Sequence, residues 1–321
     1  MATYKEISGT NVEVVSSDPS NPVEGQVWYN STTGALKGAS ATTTGSWATG
    51  GNLNTGRPYG AGTGENSSAI LVFGGFPNSA LTEQYNGISW TEVGDLNTAR
   101  RAPGAGGTYT AALAFGGGTP TAQSVTESWN NTSWTTVNPL NTARNELAGA
   151  GATNTEALAF GGVSTGGPPV FTNTETWNGT SWTEVADLGT ARYLLGGAGT
   201  QTSALAFGGL APGAQALTES WNGTSWTEVG DLNTGRYAMG NAGSDNTSAL
   251  AFGGNPPNAG LTELWNGTSW TETTDMGTAR YYFLGSGGTA ASALAAGGPA
   301  STATEEWTGA GSILIKTFTT S

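Results

Sequence analysis

The segment TESWNGTSWTEVGDLNTGR at residues 218–236 returns as TELWNGTSWTETTDMGTAR at 262–280 and as TETWNGTSWTEVADLGTAR at 174–192. Its markers recur along most of the chain. The Trp of a Ser-Trp pair falls at Trp47, Trp90, Trp134, Trp182, Trp226 and Trp270, in steps of 43, 44, 48, 44 and 44 residues. The arginine that follows falls at Arg57, Arg100, Arg144, Arg192, Arg236 and Arg280, in the same steps. A glycine pair closes a short apolar run at Gly74–Gly75, Gly116–Gly117, Gly161–Gly162, Gly208–Gly209, Gly253–Gly254 and Gly297–Gly298. A period of this length, held over six copies, marks supersecondary units that bury their apolar faces against one another.

Each unit reads as four short strands. The first follows the Arg and is built of small residues, the second is SALAFGG-like, the third LTESW-like and the fourth SWTEV-like. Helices are poorly supported, since Thr and Gly dominate and no 3.6-residue period is sustained. In the second strand, alternation puts Leu205 and Phe207 on one face and Ala204 and Ala206 on the other, a pattern suited to stacked sheets. Asn-Gly-Thr between the third and fourth strands, as at Asn222–Thr224, predicts a hairpin with a type I′ turn.

Four-stranded units repeated six times suggest an all-β, six-bladed β-propeller. Crowding at the central axis then accounts for the small first strands. The ends fit the same scheme. Residues 46–49 form a lone fourth strand, and residues 304–307 a third strand with no Ser-Trp behind it. Pairing the two completes the last blade and removes two open edges. The glycine pair, the aromatic of the third strand, the Trp of the fourth and the following Arg resemble the kelch repeat, over about residues 46–307. The WD repeat fits less well, lacking its Gly-His and Trp-Asp pairs, and no Asp-box of the sialidase kind is present.

Counting predicts a structural ring of charges. Glu83, Glu127, Glu175, Glu219, Glu263 and Glu305 hold one position of the third strand, matching the six repeat arginines in number. Each Arg is expected to pair with one of these Glu and to pack on a blade Trp, since a guanidinium binds carboxylate bidentately and stacks on aromatics. Within one repeat the expected partner of Arg192 is Glu175. Arginines merely solvated, or a functional anion-binding ring, are the competing readings.

Function is sought where repeats disagree. The loops between second and third strands vary, the third carrying a four-residue insertion, and so do the residues just after each Arg. A four-stranded meander brings both sets to one face. That face carries Tyr59, Arg101, Glu146, Tyr193, Tyr237, Tyr281 and Tyr282 as candidate ligand contacts, beside Pro-rich loops expected to be mobile. Tyr offers stacking area and a hydroxyl, which suits saccharide or protein. The same tyrosines could instead fill the channel.

Several chemistries are excluded or disfavoured. The chain has no His and no Cys, so thiol, disulfide, zinc and His-triad chemistry are absent, as is the His and Cys-linked Tyr site of kelch-type copper oxidases. No cofactor or metal site is expected, and no EF-hand spacing is present. A net charge of −13 with only ten Lys and Arg argues against nucleic acid and anionic membranes. The opening MATYKEISGT has no apolar core, so no Sec signal is expected, and no run is long enough to span a bilayer. The Asn-Gly-Thr sequons are explained by turn chemistry.

Three regions follow: 1–45, an extended arm with a small hairpin; 46–307, the propeller; and 308–321, a terminal strand around residues 313–318 that pairs with its own arm or with a neighbour's sheet. The stretch Gly25-x-x-Trp28-Tyr29-Asn30-x-x-Thr33-Gly34-x-Leu36-Lys37 resembles a short element of phage tail and virion proteins. With a low-charge propeller, the chain resembles kelch-like structural proteins of marine phages. The resemblance implies a non-enzymatic virion protein of tail, fibre or capsid, assembled in the host cytoplasm. It would attach to other virion proteins through residues 1–38, with 308–321 as a second candidate contact, and present the propeller to a host-surface glycan or protein. An architectural filament or sheath subunit without ligand is the alternative. A glycan-active enzyme is the third reading, weakened because Glu146 has no evident carboxylate partner.

Overall fold

The computed structural model describes residues 12–19, 25–41, 44–165, 167–299, 301–310 and 313–318, with the side chains of 40, 41 and 313–316 left aside. Parts of the expected attachment arm, residues 1–11 and 20–24, lie outside the described residues, as does the opening MATYKEISGT. The chain divides into two compact units, Ser46–Thr308 and the pair of ends Met1–Gly45 with Gly309–Ser321.

Among the described residues the larger unit is all β, with no helix, and contains six four-stranded antiparallel sheets, an arrangement like that of a β-propeller. One sheet illustrates all: Gly196–Gly199, Ala204–Phe207, Thr218–Trp221 and Trp226–Glu228 pair in sequence order. Leu205 and Phe207 pack on Ala249, Ala251 and Trp265 of the following sheet. Ala204 and Ala206 receive Leu158 and Phe160 of the preceding one. Large-into-small packing of this kind repeats at the other seams except that between the last and first sheets, where Leu294 and Ala296 meet Ile70 and Val72; burying each Leu or Phe contributes about 1.5–3 kcal/mol. The last sheet joins the two ends of the unit: Thr304–Thr308 pairs antiparallel with Ser46–Gly50, with Trp307 opposite Trp47.

First strands of successive sheets run against one another, and small residues are required there. A Cβ on Gly197 would stand 2.7 Å from the Gly149 carbonyl oxygen, and one on Gly285 would stand 2.8 Å from the Gly240 Cα.

Farther out, each Ser-Trp indole N–H donates to the Thr hydroxyl that begins the third strand of the preceding sheet. The pairs are Trp90 to Thr304, Trp134 to Thr82, Trp182 to Thr126, Trp226 to Thr174, Trp270 to Thr218 and Trp47 to Thr262, at 3.0–3.2 Å. These bonds link every sheet to the one before it and return to their start. The repeated Thr-Glu and Ser-Trp pairs are therefore two halves of one contact between sheets.

The third-to-fourth turn differs from the type I′ expectation. Gly223 has a φ of +91°, and Asn222 is not left-handed. Asn222 Oδ1 instead accepts the N–H groups of Thr224 and Ser225, both at 2.9 Å. Asn bonding its own backbone closes a four-residue loop, and one glycine then suffices.

In the smaller unit, Glu13–Val15, Val27–Asn30, Ala35–Ala41 and Ile313–Thr317 form one sheet in that order. The first pairing is parallel, the others antiparallel. Asp18 is its hub, accepting from Trp28 Nε1 at 3.1 Å, Asn30 Nδ2 at 2.7 Å and Lys37 Nζ at 2.6 Å. These bonds, from Lys37 first, hold the Asp18 carboxyl down to about 2. Three residues of the Trp-Tyr-Asn element thus serve this unit's own fold.

Candidate functional site

The repeat arginines from Arg100 to Arg280 each bridge two sheets. The Arg192 backbone carbonyl accepts from Gly162 N of the preceding sheet at 2.9 Å. Its guanidinium enters the following sheet, donating to the carbonyls of Ala206, Gly208 and Leu217 and to Glu219 Oε1 at 3.0 Å. The glycine pair is needed where that backbone docks: Gly161 has a φ of +66°, and a Cβ there would lie 2.7 Å from the Arg192 carbonyl.

The six ion pairs are Arg57–Glu83, Arg100–Glu127, Arg144–Glu175, Arg192–Glu219, Arg236–Glu263 and Arg280–Glu305, at 2.5–3.1 Å and almost fully buried. Arg192 therefore does not meet Glu175, which belongs to Arg144. The arginine precedes the sheet whose carboxylate it holds, so the pair spans the entry to a sheet rather than its exit. The other oxygen of the Glu accepts a backbone N–H three residues before the Arg, as from Asn141 to Glu175 and Gly189 to Glu219, both at 2.7 Å. Stacking of these arginines on Trp does not occur among the described residues. The guanidiniums meet carbonyls and carboxylates, and the described Arg–ring contact is Arg101 over Phe76, 5.9 Å from the centroid. Burial lowers the Arg100 guanidinium to about 10 against the opposing pull of Glu127, and lowers Arg144, Arg192 and Arg236 in the same way. These buried pairs serve the fold.

Two residues after each Arg the chain makes a different circle. Tyr59 N donates to Tyr282 O (2.9 Å), Ala102 N to Tyr59 O (2.6 Å), Glu146 N to Ala102 O (3.1 Å), Leu194 N to Glu146 O (2.8 Å), Ala238 N to Leu194 O (2.9 Å) and Tyr282 N to Ala238 O (3.0 Å). The last bond returns to the first sheet. All six residues are left-handed, with φ between 49° and 60°, and none is glycine. A left-handed residue costs on the order of 1–2 kcal/mol, so the circle of hydrogen bonds holds the backbone where its side chains would not place it.

The side chains of this circle line a cavity of ≈ 130 Å³, floored by Leu147, Leu195, Met239 and Phe283. Below it a second cavity of ≈ 60 Å³ is lined mostly by glycines of the first strands. Tyr59 and Tyr282 stack at 3.9 Å between centroids with 21° between planes, and Tyr281 stands 5.0 Å from Tyr282. Glu146, the one carboxylate among the residues lining this cavity, occupies the position opposite Tyr282, three steps away in either direction around the circle. Burial raises its carboxyl, and the positive charge of Arg101 partly offsets this. Burial likewise raises the hydroxyls of Tyr59, Tyr193 and Tyr282; the hydrogen bond between the Tyr59 and Tyr282 hydroxyls raises Tyr282 further and partly offsets the rise of Tyr59.

The remaining candidates surround the mouth. The backbones of Arg101, Tyr193 and Tyr237 bridge to Gly118, Leu210 and Asn255 of the neighbouring second-to-third loops, so both variable sets do meet on one face. The Tyr237 hydroxyl accepts from Asn255 Nδ2 at 2.8 Å. Tyr59, Glu146 and Tyr282 line the cavity itself, whereas Arg101, Tyr193, Tyr237 and Tyr281 are not among its lining residues. Three of the variable loops contain two-stranded ribbons, 118–119 with 121–122, 163–164 with 167–170 and 210–211 with 213–214; the inserted residues belong to the second. Sequence reasoning missed Leu194 and Phe76, the latter 48% exposed beside Tyr59. The fixed offset of two residues from each Arg was the signal that could have found Leu194.

No family model matches the chain, and no curated protein matches it. Among solved structures, that titled "Structure of YjhT" matches with a TM-score of 0.66 at 12% sequence identity, covering 83% of this chain and 99% of that one. At that identity the likeness shows the fold alone, that of repeated β-sheets arranged as in a propeller.

Proposed function

We propose that residues 46–308 form a six-bladed, kelch-like β-propeller that binds a host-surface glycan at its channel mouth, carried on a virus particle to which residues 1–38 attach it. Two hydrogen-bond circuits support the blade count, since each passes once through every sheet and returns to its start. The observation that carries the binding role is the contrast at the circle: its backbone repeats six times while its side chains read Tyr59, Ala102, Glu146, Leu194, Ala238 and Tyr282. A conformation kept at the cost of six left-handed residues, with unlike side chains gathered on one cavity, suits recognition. The stacked Tyr59–Tyr282 pair is a platform for the apolar face of a sugar ring, and Glu146 with the neutral tyrosine hydroxyls supplies hydrogen bonds. Binding is favoured over hydrolysis because glycosidases use two carboxylates and this cavity holds one.

A glycan array probed with the intact protein tests the site. Binding to a defined set of sugars, abolished by Tyr282→Ala, is the expected result; a blank array with capture of a host-surface protein would replace the glycan with a protein ligand. Antibody labelling of purified particles tests the location, and particles without the antigen would remove the virion assignment.

A further inference from the structure

Glu146 is unlike every carboxylate of the repeat set. Those six each hold a buried arginine and a backbone N–H, whereas the Glu146 carboxylate has neither an ion pair nor a hydrogen bond among the described residues. Arg101, the cation that acts on it, lies over the Phe76 ring outside the lining of the cavity. A carboxylate partly withdrawn from water without a partner is costly and is relieved most by a charged donor. Tyr282, at the opposite position of the circle, stacks on Tyr59, and both line the same cavity as Glu146; the π faces of such rings attract a cation further. Between these positions stand Ala102 on one side and Leu194 with Ala238 on the other, so that two of the three intervening side chains are methyl groups. The net charge of −13 draws cations and repels anions over longer range.

We infer that the mouth selects glycans carrying a free ammonium group, with the cation seated on Glu146 and the sugar ring against the Tyr59–Tyr282 pair. This rests on the glycan-binding reading above and narrows it. Acidic sugars are the disfavoured class, because their carboxylate or sulfate would meet Glu146.

The test is a ligand-observed NMR titration of the whole protein at neutral pH with 6-amino-6-deoxyglucose, its N-acetyl derivative and glucose. The three differ in charge at one position. The amine is expected to bind about tenfold tighter than either neutral sugar, the gain of one charge-assisted hydrogen bond. Glu146→Gln should bring the amine down to the level at which the variant binds the other two. Glu146→Gln keeps the backbone of the circle and the size of the side chain, and unchanged thermal unfolding would confirm an intact fold. Equal binding of all three by the wild type, or a preference that survives Glu146→Gln, overturns the ammonium assignment and leaves the glycan site standing. Failure of all three to bind overturns the glycan reading and the inference with it.

Discussion

The girdle where the sheets join and the mouth of the channel obey opposite rules, although both repeat six times. At the girdle the side chains are constant: every Ser-Trp indole finds a Thr hydroxyl, and every repeat Arg finds a Glu. At the mouth the backbone is constant and the side chains are free to differ, from Ala102 to Glu146 to Tyr282. Where the contact between sheets is made by side chains, the sequence must repeat. Where it is made by backbone groups, the sequence is released, and that release is what allows a recognition surface on a repetitive scaffold.

The comparison is most exposed to failure at the buried ion pairs. Arg192→Ala should destabilise the protein by about 3–5 kcal/mol in chemical denaturation, because it strands the Glu219 carboxylate. In a double-mutant cycle Arg192 and Glu219 should couple strongly, and Arg192 with Glu175 should be close to additive. Coupling to Glu175 instead would reassign the pairs. At the mouth, Glu146→Ala should not destabilise the protein, because it removes an unpartnered carboxylate that the fold partly withdraws from water; a loss comparable to that of Arg192→Ala would erase the distinction between the two regions.

A smaller effect separates two buried indoles. Trp177 Nε1 donates to the Asn154 carbonyl at 3.1 Å, while Trp129 Nε1 is buried with no partner. Trp177→Phe should therefore cost about 1 kcal/mol more than Trp129→Phe in parallel unfolding experiments. Equal costs would mean that the hydrogen bond adds nothing to packing.

The smallest expected effect lies in the terminal unit. The Asp18 carboxyl falls from an ordinary value of 3.8 to about 2 on folding. Its stabilising contribution is then fully present above 3.8 and fades as the pH drops through about 2. Hydrogen exchange over residues 25–41 should rise across that acid window in the wild type and be flat there in Asp18→Asn. An unchanged profile in the variant would remove Asp18 as the hub.

Much of this architecture was legible in the repeat. Strand positions followed from alternation and from the glycine pairs, and the pairing of the two ends of the larger unit followed from a lone Trp47 strand and an unanswered Trp307. Partner choice was not legible. The third-strand Glu upstream of Arg192 is Glu175, but the chain enters a sheet through its arginine, so the guanidinium meets the carboxylate still to come, Glu219. The tyrosines stood out by composition, yet Tyr59 and Tyr282, which lie at opposite ends of the repeat array in sequence, are ring neighbours only because the last sheet returns to the first.

By itself the sequence determined the unit, its four strands, its number of copies and the residues that must recur, because side chains that make the same polar contact at every seam have to be the same. Only the tertiary structure decided which carboxylate each arginine holds, that the circle at the mouth is closed by backbone alone, and that Glu146 lines one cavity with the stacked tyrosines. Those outcomes depend on contacts between residues far apart in the chain, and local pattern carries no information about which distant groups a curved stack of sheets will bring together.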